Sequence, residues 1–444
     1  MPKAAVLTLG CKVNQFESSS LSESLRAAGY QVEREAVGVD LVVLNTCTVT
    51  QKADQEALSL LRRLKRLNPG ASVVATGCLA QSNPDLLADS GLVTLVLGQR
   101  EKASLLDHLA GLDGPEGGRV RVGELGGPAV DFGAPTPART RAFYKVQDGC
   151  SAFCAYCAVP SSRGPSRSLE LDQVLEGLRS YLSRGLSEVV LCGIHLGLWG
   201  RDLSPPLTLA DLLHSIASEL SPDEELFRLR LSSVEPLELD EEVLAAYEMY
   251  PWLAPHFHLP LQSGSDAVLE MMGRPYRSEF FRKLVRRLAE KWPQAALGVD
   301  VMAGFPGESE EDFQASRELL ESLPISYFHV FPYSRRPGTR AAESQDQVPE
   351  HLKRARTLEL KALNQAKRRV FAEANWGQRE QALVESTPHR ESGRLKVLTG
   401  NYLSALLPAS VRGLPPGTLL PVVIRAARDP WGLLEADPAG NWLS

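Results

Sequence analysis

Cys150-Ser-Ala-Phe-Cys154-Ala-Tyr-Cys157, directly after the apolar run at 142–146, sets three thiols within eight residues at the end of a strand. Thiolates are soft ligands, suited to iron–sulfur clusters or to zinc. A structural zinc site wants four ligands in a tetrahedral array. No fourth ligand follows at the usual spacing, and His195 stays open as a distant candidate. Three thiolates on a four-iron cluster instead leave one iron free to bind a small molecule. The cluster is the preferred reading of the motif, and zinc is its alternative.

The run at 142–146 opens a series. Further strand-like runs fall at 188–191, 227–231, 256–261, 297–302 and 327–331, with helical patterns between them at 171–184, 209–219, 280–291 and 310–323. Six strand–helix repeats predict a partial (βα)6 barrel, with ligands held by the loops after its strands. Upstream, runs at 4–9, 40–44, 72–75 and 92–97 alternate with helical patterns at 18–28, 53–67 and 101–109. That alternation predicts a parallel α/β sheet. Cys11, Cys47 and Cys78 each follow one of its strands directly. Loops after parallel strands lie on one edge of a sheet, so three distant cysteines are delivered to one place. Taken singly, each also reads as a small buried residue. Cys192, at the end of the second barrel strand with no thiol near it in sequence, reads as core.

Residues 111–139 turn to Gly, Pro and small side chains and read as a connection with a hairpin at 119–122. Residues 351–373 form a basic helical pattern, with Lys353, Arg354, Arg356, Lys361, Lys367, Arg368 and Arg369 against Glu359 and Glu373. Short runs at 381–385, 395–398, 404–407 and 419–424 then predict a small OB-like β-barrel. The division expected is 1–112, a linker at 113–139, the barrel at 140–374 and the tail at 375–444.

A chain of 444 residues is long enough for two or three domains. Its 43% hydrophobic and 23% charged residues are those of an ordinary globular protein. No apolar run approaches the roughly 20 residues that cross a bilayer. The N-terminal residues run straight into a strand without signal-peptide architecture, so a cytoplasmic protein with no membrane partner is expected. In a reducing compartment seven cysteines do not form a disulfide framework. A net charge of −6 argues against a general nucleic-acid coat and leaves room for a local basic patch. In the tail, Tyr402 and Trp431 are candidates to stack on bases or to fill the barrel.

The cluster motif resembles that of the radical S-adenosylmethionine superfamily. The resemblance implies a [4Fe-4S] cluster on Cys150, Cys154 and Cys157 whose open iron holds the amino and carboxylate groups of S-adenosylmethionine, with Tyr156 against the adenine. Reduction then splits a carbon–sulfur bond and gives a 5′-deoxyadenosyl radical. Leu9-Gly-Cys11-Lys-Val-Asn-Gln, Asn45-Thr-Cys47-Thr-Val-Thr and Thr76-Gly-Cys78 resemble the three-cysteine domain of the methylthiotransferases. That implies a second [4Fe-4S] cluster, which carries or delivers sulfur. Ser162-Arg163-Gly-Pro-Ser-Arg167, Arg230-Leu-Ser232-Ser-Val-Glu235-Pro, His258-Leu-Pro-Leu-Gln262-Ser-Gly-Ser-Asp, Asp300-Val-Met-Ala-Gly-Phe-Pro-Gly307-Glu308 and His329-Val-Phe-Pro-Tyr-Ser-Arg-Arg-Pro-Gly-Thr339 resemble other blocks of the family. Arg163, Ser232, Glu235 and Gln262 are implied as cofactor or substrate contacts. Each block also has a plain reading: Gly307 a turn, Ser265 an N-cap, Arg163 a surface charge.

The tail resembles the TRAM domain that these enzymes use on RNA. The reaction implied is replacement of C–H by a methylthio group at C2 of a tRNA adenosine, with one S-adenosylmethionine as methyl donor and another as radical source. Partners implied are tRNA, an electron donor such as flavodoxin or ferredoxin, and a sulfur donor. Cys11-Lys-Val-Asn-Gln and Gly193-Ile-His195-Leu-Gly look most like the bacterial enzymes acting on N6-threonylcarbamoyladenosine beside the anticodon. The isopentenyladenosine enzymes usually read Cys-Gln-Met-Asn at the first cysteine, and the ribosomal-protein aspartate enzymes Cys-Pro-Lys-Asn. Both substrates remain alternatives. A reading of another class is a non-catalytic iron–sulfur protein that binds RNA, which would not cleave S-adenosylmethionine.

Overall fold

The computed structural model describes residues 1–110, 119–426 and 434–439, so Trp431 lies outside the described residues. Six strands, β1 (Lys3–Thr8), β2 (Gln31–Glu33), β3 (Leu41–Thr46), β4 (Ser72–Gly77), β5 (Leu95–Leu97) and β6 (Val120–Arg121), form one parallel sheet in the order β2-β1-β3-β4-β5-β6. The expected hairpin near 119–122 is absent among the described residues. Val120–Arg121 instead pairs in parallel with β5 as an edge strand, Val96 facing Val120. The helix Gln51–Leu67 follows Thr50, whose side chain accepts from the Ala53 N–H, and buries Ala57, Leu61 and Leu64. Spacings of four and three put those residues on one helical face, which packs on Val42, Leu44 and Val73.

The second series is a partial barrel: β7 (Ala142–Lys145), a short antiparallel pair β8 (Gln147–Asp148) and β9 (Arg167–Ser168), then β10 (Glu188–Cys192), β11 (Arg228–Leu231), β12 (His256–Gln262), β13 (Ala296–Ala303) and β14 (Tyr327–Pro332). Its six main strands form two parallel triplets, β7-β10-β11 and β12-β13-β14, joined by the parallel bridges Leu229–Leu253 and Ser233–His258. Alternation sends Val189, Leu191, Leu229 and Leu231 outward into the main core beneath the helices. The opposite face carries Glu188, Arg228 and Arg230 into the interior. The long helix Glu350–Ala374 packs on β14. A closed barrel of β15 (Arg379–Val384), β16 (Lys396–Thr399), β17 (Ser404–Leu406), β18 (Leu419–Arg425) and β19 (Leu434–Pro438) completes the chain, one strand more than its sequence pattern shows.

Two buried carboxylates join these units. Glu17, on the helix Lys12–Ala27, accepts from Lys102 within its own sheet domain, from Lys145 on β7 at 3.0 Å and from Arg163 after the cysteine loop at 3.1 Å. Glu188, 0% exposed at the start of β10, accepts from Arg228 at 2.8 Å and from Arg230 at 3.0 Å. Those arginines donate onward to the carbonyls of Gln381, Leu398 and Gly400 in the terminal barrel. Tyr402 fills the gap, stacked on His256 at 4.5 Å and lying 5.0 Å from the Arg230 guanidinium. The ring expected either to meet bases or to fill the small barrel therefore seals the floor of the large one.

Burial alone would raise the Glu188 carboxyl, but Arg228, Arg230 and Arg141 hold it at about 2. Glu188→Gln leaves those cations under-compensated and is expected to cost about 3–5 kcal/mol at pH 7. A group depressed in the folded state stabilises fully above its unfolded pKa of about 4.3 and loses that contribution as pH falls through the folded value. The difference in urea midpoint between wild type and variant should therefore shrink on acidification toward pH 2.

Candidate active site

The three N-terminal cysteines lie at the C-terminal ends of neighbouring strands. Cys11 follows β1 and caps the helix Lys12–Ala27, Cys47 follows β3, and Cys78 follows β4 as the first residue of the helix Cys78–Ser82. Gly10 has φ +105, and a Cβ there would fall 2.8 Å from the Cys47 Cβ, so the Cys11 backbone passes directly beside Cys47. The charges of Cys47 and Cys78 act on one another, as do those of Cys11 and Cys78. The second set sits in the loop after β8. Gly149 turns with φ +71, where any side chain would strike the Pro165 carbonyl, and releases Cys150, Cys154 and Cys157. Cys192 is 1% exposed, within the barrel.

Each set fits a cluster by its donor chemistry. Thiols alone make up the sets, and N–H groups aim at the sulfurs: Ala152 at Cys150 and Val159 at Cys157, both 3.4 Å, Arg274 at Cys154, 3.4 Å, and Gln99 at Cys78, 3.3 Å. Such donors tune clusters through their sulfur ligands. Burial pushes the Cys47 and Cys157 thiols up to about 12, so bound iron must draw the protons off. Thiolates on one zinc, at about 2.3 Å each, stand only about 4 Å apart. Among the described residues the one set of three potential ligands that closes within 4.8 Å is His258, Asp300 and His329. The cysteine sets are spaced more widely than a zinc site. His195 instead contacts Cys150 through Nδ1 at 3.3 Å and Glu238 through Nε2. Burial opposes its protonated form, but those two partners raise it to about 10.

A cavity of about 260 Å³ lies between the two sets, with Cys78 on one wall and Cys157 and Tyr156 on another. Thr48, Gln262, Asp300, Met302 and Phe331 also line it. Gln262 sits at an irregularity of β12 with φ +70, uncommon for a residue with a side chain. Ser232 is buried, and its hydroxyl has no partner among the described residues. A buried hydroxyl without a partner calls for one, and a bound ligand would supply it. Glu235 is ion-paired with Arg274, whose other amino group reaches Cys154. Burial raises the Glu235 carboxyl, and Arg274 opposes the rise.

Arg163 is placed differently from the contact or surface charge expected of it. It is 1% exposed and donates to Glu17, to Asp148 at 2.8 Å and to Asn14 at 2.6 Å, outside the cavity wall. Arg274, Gln99, Glu238 and Asp300 escaped the sequence reading as site residues. Only Asp300 lies in a block that drew attention, and the partners of the others are distant in the chain.

A cysteine loop after the first strand of a six-stranded parallel partial barrel defines a radical S-adenosylmethionine protein. Comparison with known proteins agrees: residues 144–320 match the radical SAM superfamily, and residues 3–98 match a family described as uncharacterized protein family UPF0004. The chain is 40% identical to the threonylcarbamoyladenosine tRNA methylthiotransferase MtaB of Aquifex aeolicus, over 90% of this chain and 95% of that one. It is 35% identical to the tRNA-2-methylthio-N6-dimethylallyladenosine synthase of Syntrophobacter fumaroxidans, over 88% and 86%. Among solved structures, the radical S-adenosylmethionine methyltransferase TsrM of Kitasatospora setae superposes with a TM-score of 0.55 at 16% identity, over 77% of this chain and 75% of that one. The chain belongs to the radical SAM methylthiotransferase family, and it is an enzyme. No helix among the described residues is long and apolar enough to cross a membrane.

Cys78→Ala and Cys157→Ala should each lower bound iron by about half after anaerobic reconstitution, each removing one cluster. Cys192→Ala should leave iron unchanged. Colorimetric iron, with electron paramagnetic resonance of the reduced protein, checks both.

Proposed function

We propose that this enzyme inserts a methylthio group at C2 of N6-threonylcarbamoyladenosine beside the anticodon of tRNA. The observation that carries the reading is the single cavity walled by Cys78 from one cysteine set and Cys157 from the other. A C–H with no acidic character needs two functions at one point, hydrogen abstraction and sulfur delivery, and a shared cavity supplies that meeting point. Bound [4Fe-4S] clusters, on Cys150, Cys154 and Cys157 and on Cys11, Cys47 and Cys78, supply radical and sulfur chemistry with S-adenosylmethionine.

The side chains here hold and exclude. Met302, Phe331 and Val49 give the cavity apolar surface on which a ring can lie, and with Val49 and Phe331 exposed the bound substrate itself must complete the exclusion of water. Tyr156 presents its ring at the cavity for the cofactor's adenine, while Gln262 and the unpartnered Ser232 hydroxyl offer polar contacts to cofactor or base. Arg274 orients Glu235 for the same purpose and opposes the rise that burial imposes on its carboxyl. Arg163 acts at one remove, by fixing the cysteine loop against the sheet. Residues 1–112 serve as the sulfur-delivering unit, 113–139 as the connection, 140–374 as the radical unit and 375–444 as the RNA-binding unit. A flavodoxin- or ferredoxin-like protein provides electrons, and a separate donor restores sulfur, in the cytoplasm.

Mass spectrometry of tRNA nucleosides from a host lacking its own enzyme, with and without this gene, tests the proposal. Appearance of 2-methylthio-N6-threonylcarbamoyladenosine is expected. Its absence alongside the methylthio isopentenyl nucleoside would keep the chemistry and overturn the substrate. Changing any one of Cys11, Cys47 or Cys78 to Ala should abolish the methylthio product while reductive cleavage of S-adenosylmethionine continues. A variant lacking all three thiols that still made product would refute the division of labour.

A further inference from the structure

The inner faces of the last three barrel strands carry a polar row that the steps above leave unused. Asp300 and His329 face each other across β13 and β14, and His258 Nε2 lies 2.9 Å from Asp300 Oδ1. One ligand atom from each of His258, Asp300 and His329 lies within 4.8 Å of the others. Asp300 also lines the cavity between Cys78 and Cys157, so the row starts at the proposed point of reaction and runs out to the exposed His329.

Two cations bear on it, Arg368 at its outer end and Lys12 from the sheet domain. Arg368, exposed on the long helix, lies 5.2 Å from the Tyr327 ring, and half-buried Lys12 stands next to Cys11 in sequence. The positive charges of both bear on the His329 ring. Neither is ion-paired with a carboxylate among the described residues, and Asp300 is engaged by His258. Partial desolvation by the His258 and Tyr327 rings packed on it, then the neighbouring positive groups, hold the His329 imidazole below its usual value against Asp300, leaving it neutral with one donor and one acceptor nitrogen.

By spacing alone, the trio could take a divalent cation. Two uncompensated positive charges beside it oppose that and favour a ligand with an anionic end and N–H or O–H donors. The geometry points to the row as the receptor for the acidic N6 substituent of the target adenosine, with Arg368 taking its carboxylate and Asp300 and His329 its ureido N–H and hydroxyl groups. This rests on the function proposed above and adds what selects the substrate. A hydrocarbon substituent would bring nothing to pair with these polar groups. Sites built to hydrogen-bond a substrate reject analogues lacking its polar groups by about 10⁴-fold or more.

The test uses reconstituted holoenzyme and two anticodon stem-loop RNAs, one with N6-threonylcarbamoyladenosine and one with its threoninamide counterpart, which lacks the charge. Wild type should prefer the acid by about a hundredfold in kcat/KM, and Arg368→Gln should bring the two RNAs within about threefold. Comparing both RNAs on one variant cancels any folding loss, whereas His329→Leu removes a contact both RNAs share and should lower kcat/KM on both while leaving the preference for the acid close to that of wild type. Equal losses on both RNAs in Arg368→Gln would mean that the arginine holds backbone phosphate, and would overturn the assignment. So would a wild type that treats acid and amide alike. A wild type active only on isopentenyladenosine RNA would overturn the proposed function itself.

Discussion

The carboxylate of Glu17 is the contact on which the two cysteine sets depend for their common frame. It is 0% exposed and gathers Lys102 from the sheet domain, Lys145 from the first barrel strand and Arg163 from the helix after the cysteine loop. Burial opposes its charge, yet Arg163, Lys102 and Lys145 hold the carboxyl well below the usual carboxylate range. Such a group cannot be half made: removing one partner strands charge where water cannot reach it. Among the described residues the carboxylates paired with Lys102, Lys145 and Arg163 are Glu17 and Asp148, so the network keeps an excess of positive charge. Burial, helped by Arg163 and Lys145 and opposed by Glu17, lowers Lys102 to about 8. Arg163 is also within electrostatic reach of Cys78 and Cys11. At Cys11 its charge opposes the rise that burial imposes on the thiol, so the network that fixes the sheet on the barrel also bears on a cysteine of the site.

Glu188 repeats this logic at the other end of the barrel. Its arginines tie β10 and β11 to carbonyls of the small C-terminal barrel, and Tyr402 closes the floor over them. One buried acid thus fixes each appended domain to the central one. With the floor sealed, a nucleotide must enter from the side or from the edge that carries the cysteines.

Much of this frame was legible because it is local. Strand, turn and cysteine adjoin in Leu9-Gly-Cys11, Thr46-Cys47 and Thr76-Gly-Cys78, and the six barrel runs alternate as parallel strands must. β2 and β19 were not legible, and β6 was read as part of a hairpin: β2 and β6 are only three and two residues long, too short for periodicity, and β19 follows a turn-rich stretch. Arg163 shows the other limit. In sequence it stands in a Gly-Pro-Ser context that suits a surface loop, and nothing local announces Glu17, 146 residues away. Arg274 and Gln99 were missed for the same reason, since Cys154 and Cys78 lie 120 and 21 residues from them. Pairings between distant polar residues leave no periodic trace, whereas burial of apolar faces does.

The shape of adenine explains why reaction centre and selecting row share a residue. C2 and the exocyclic N6 flank N1 on the same edge of the base. An enzyme that brings C2 toward sulfur therefore brings any N6 substituent up against the neighbouring wall. Here that wall passes from Asp300, inside the cavity, to His329 on the adjacent strand and on to the charge of Arg368. Parallel strands fix this order rigidly, because a one-residue slip would turn every inward side chain outward. Selection by the substituent and attack at C2 are then two readings of one placement of the ring, set by the register of β12, β13 and β14.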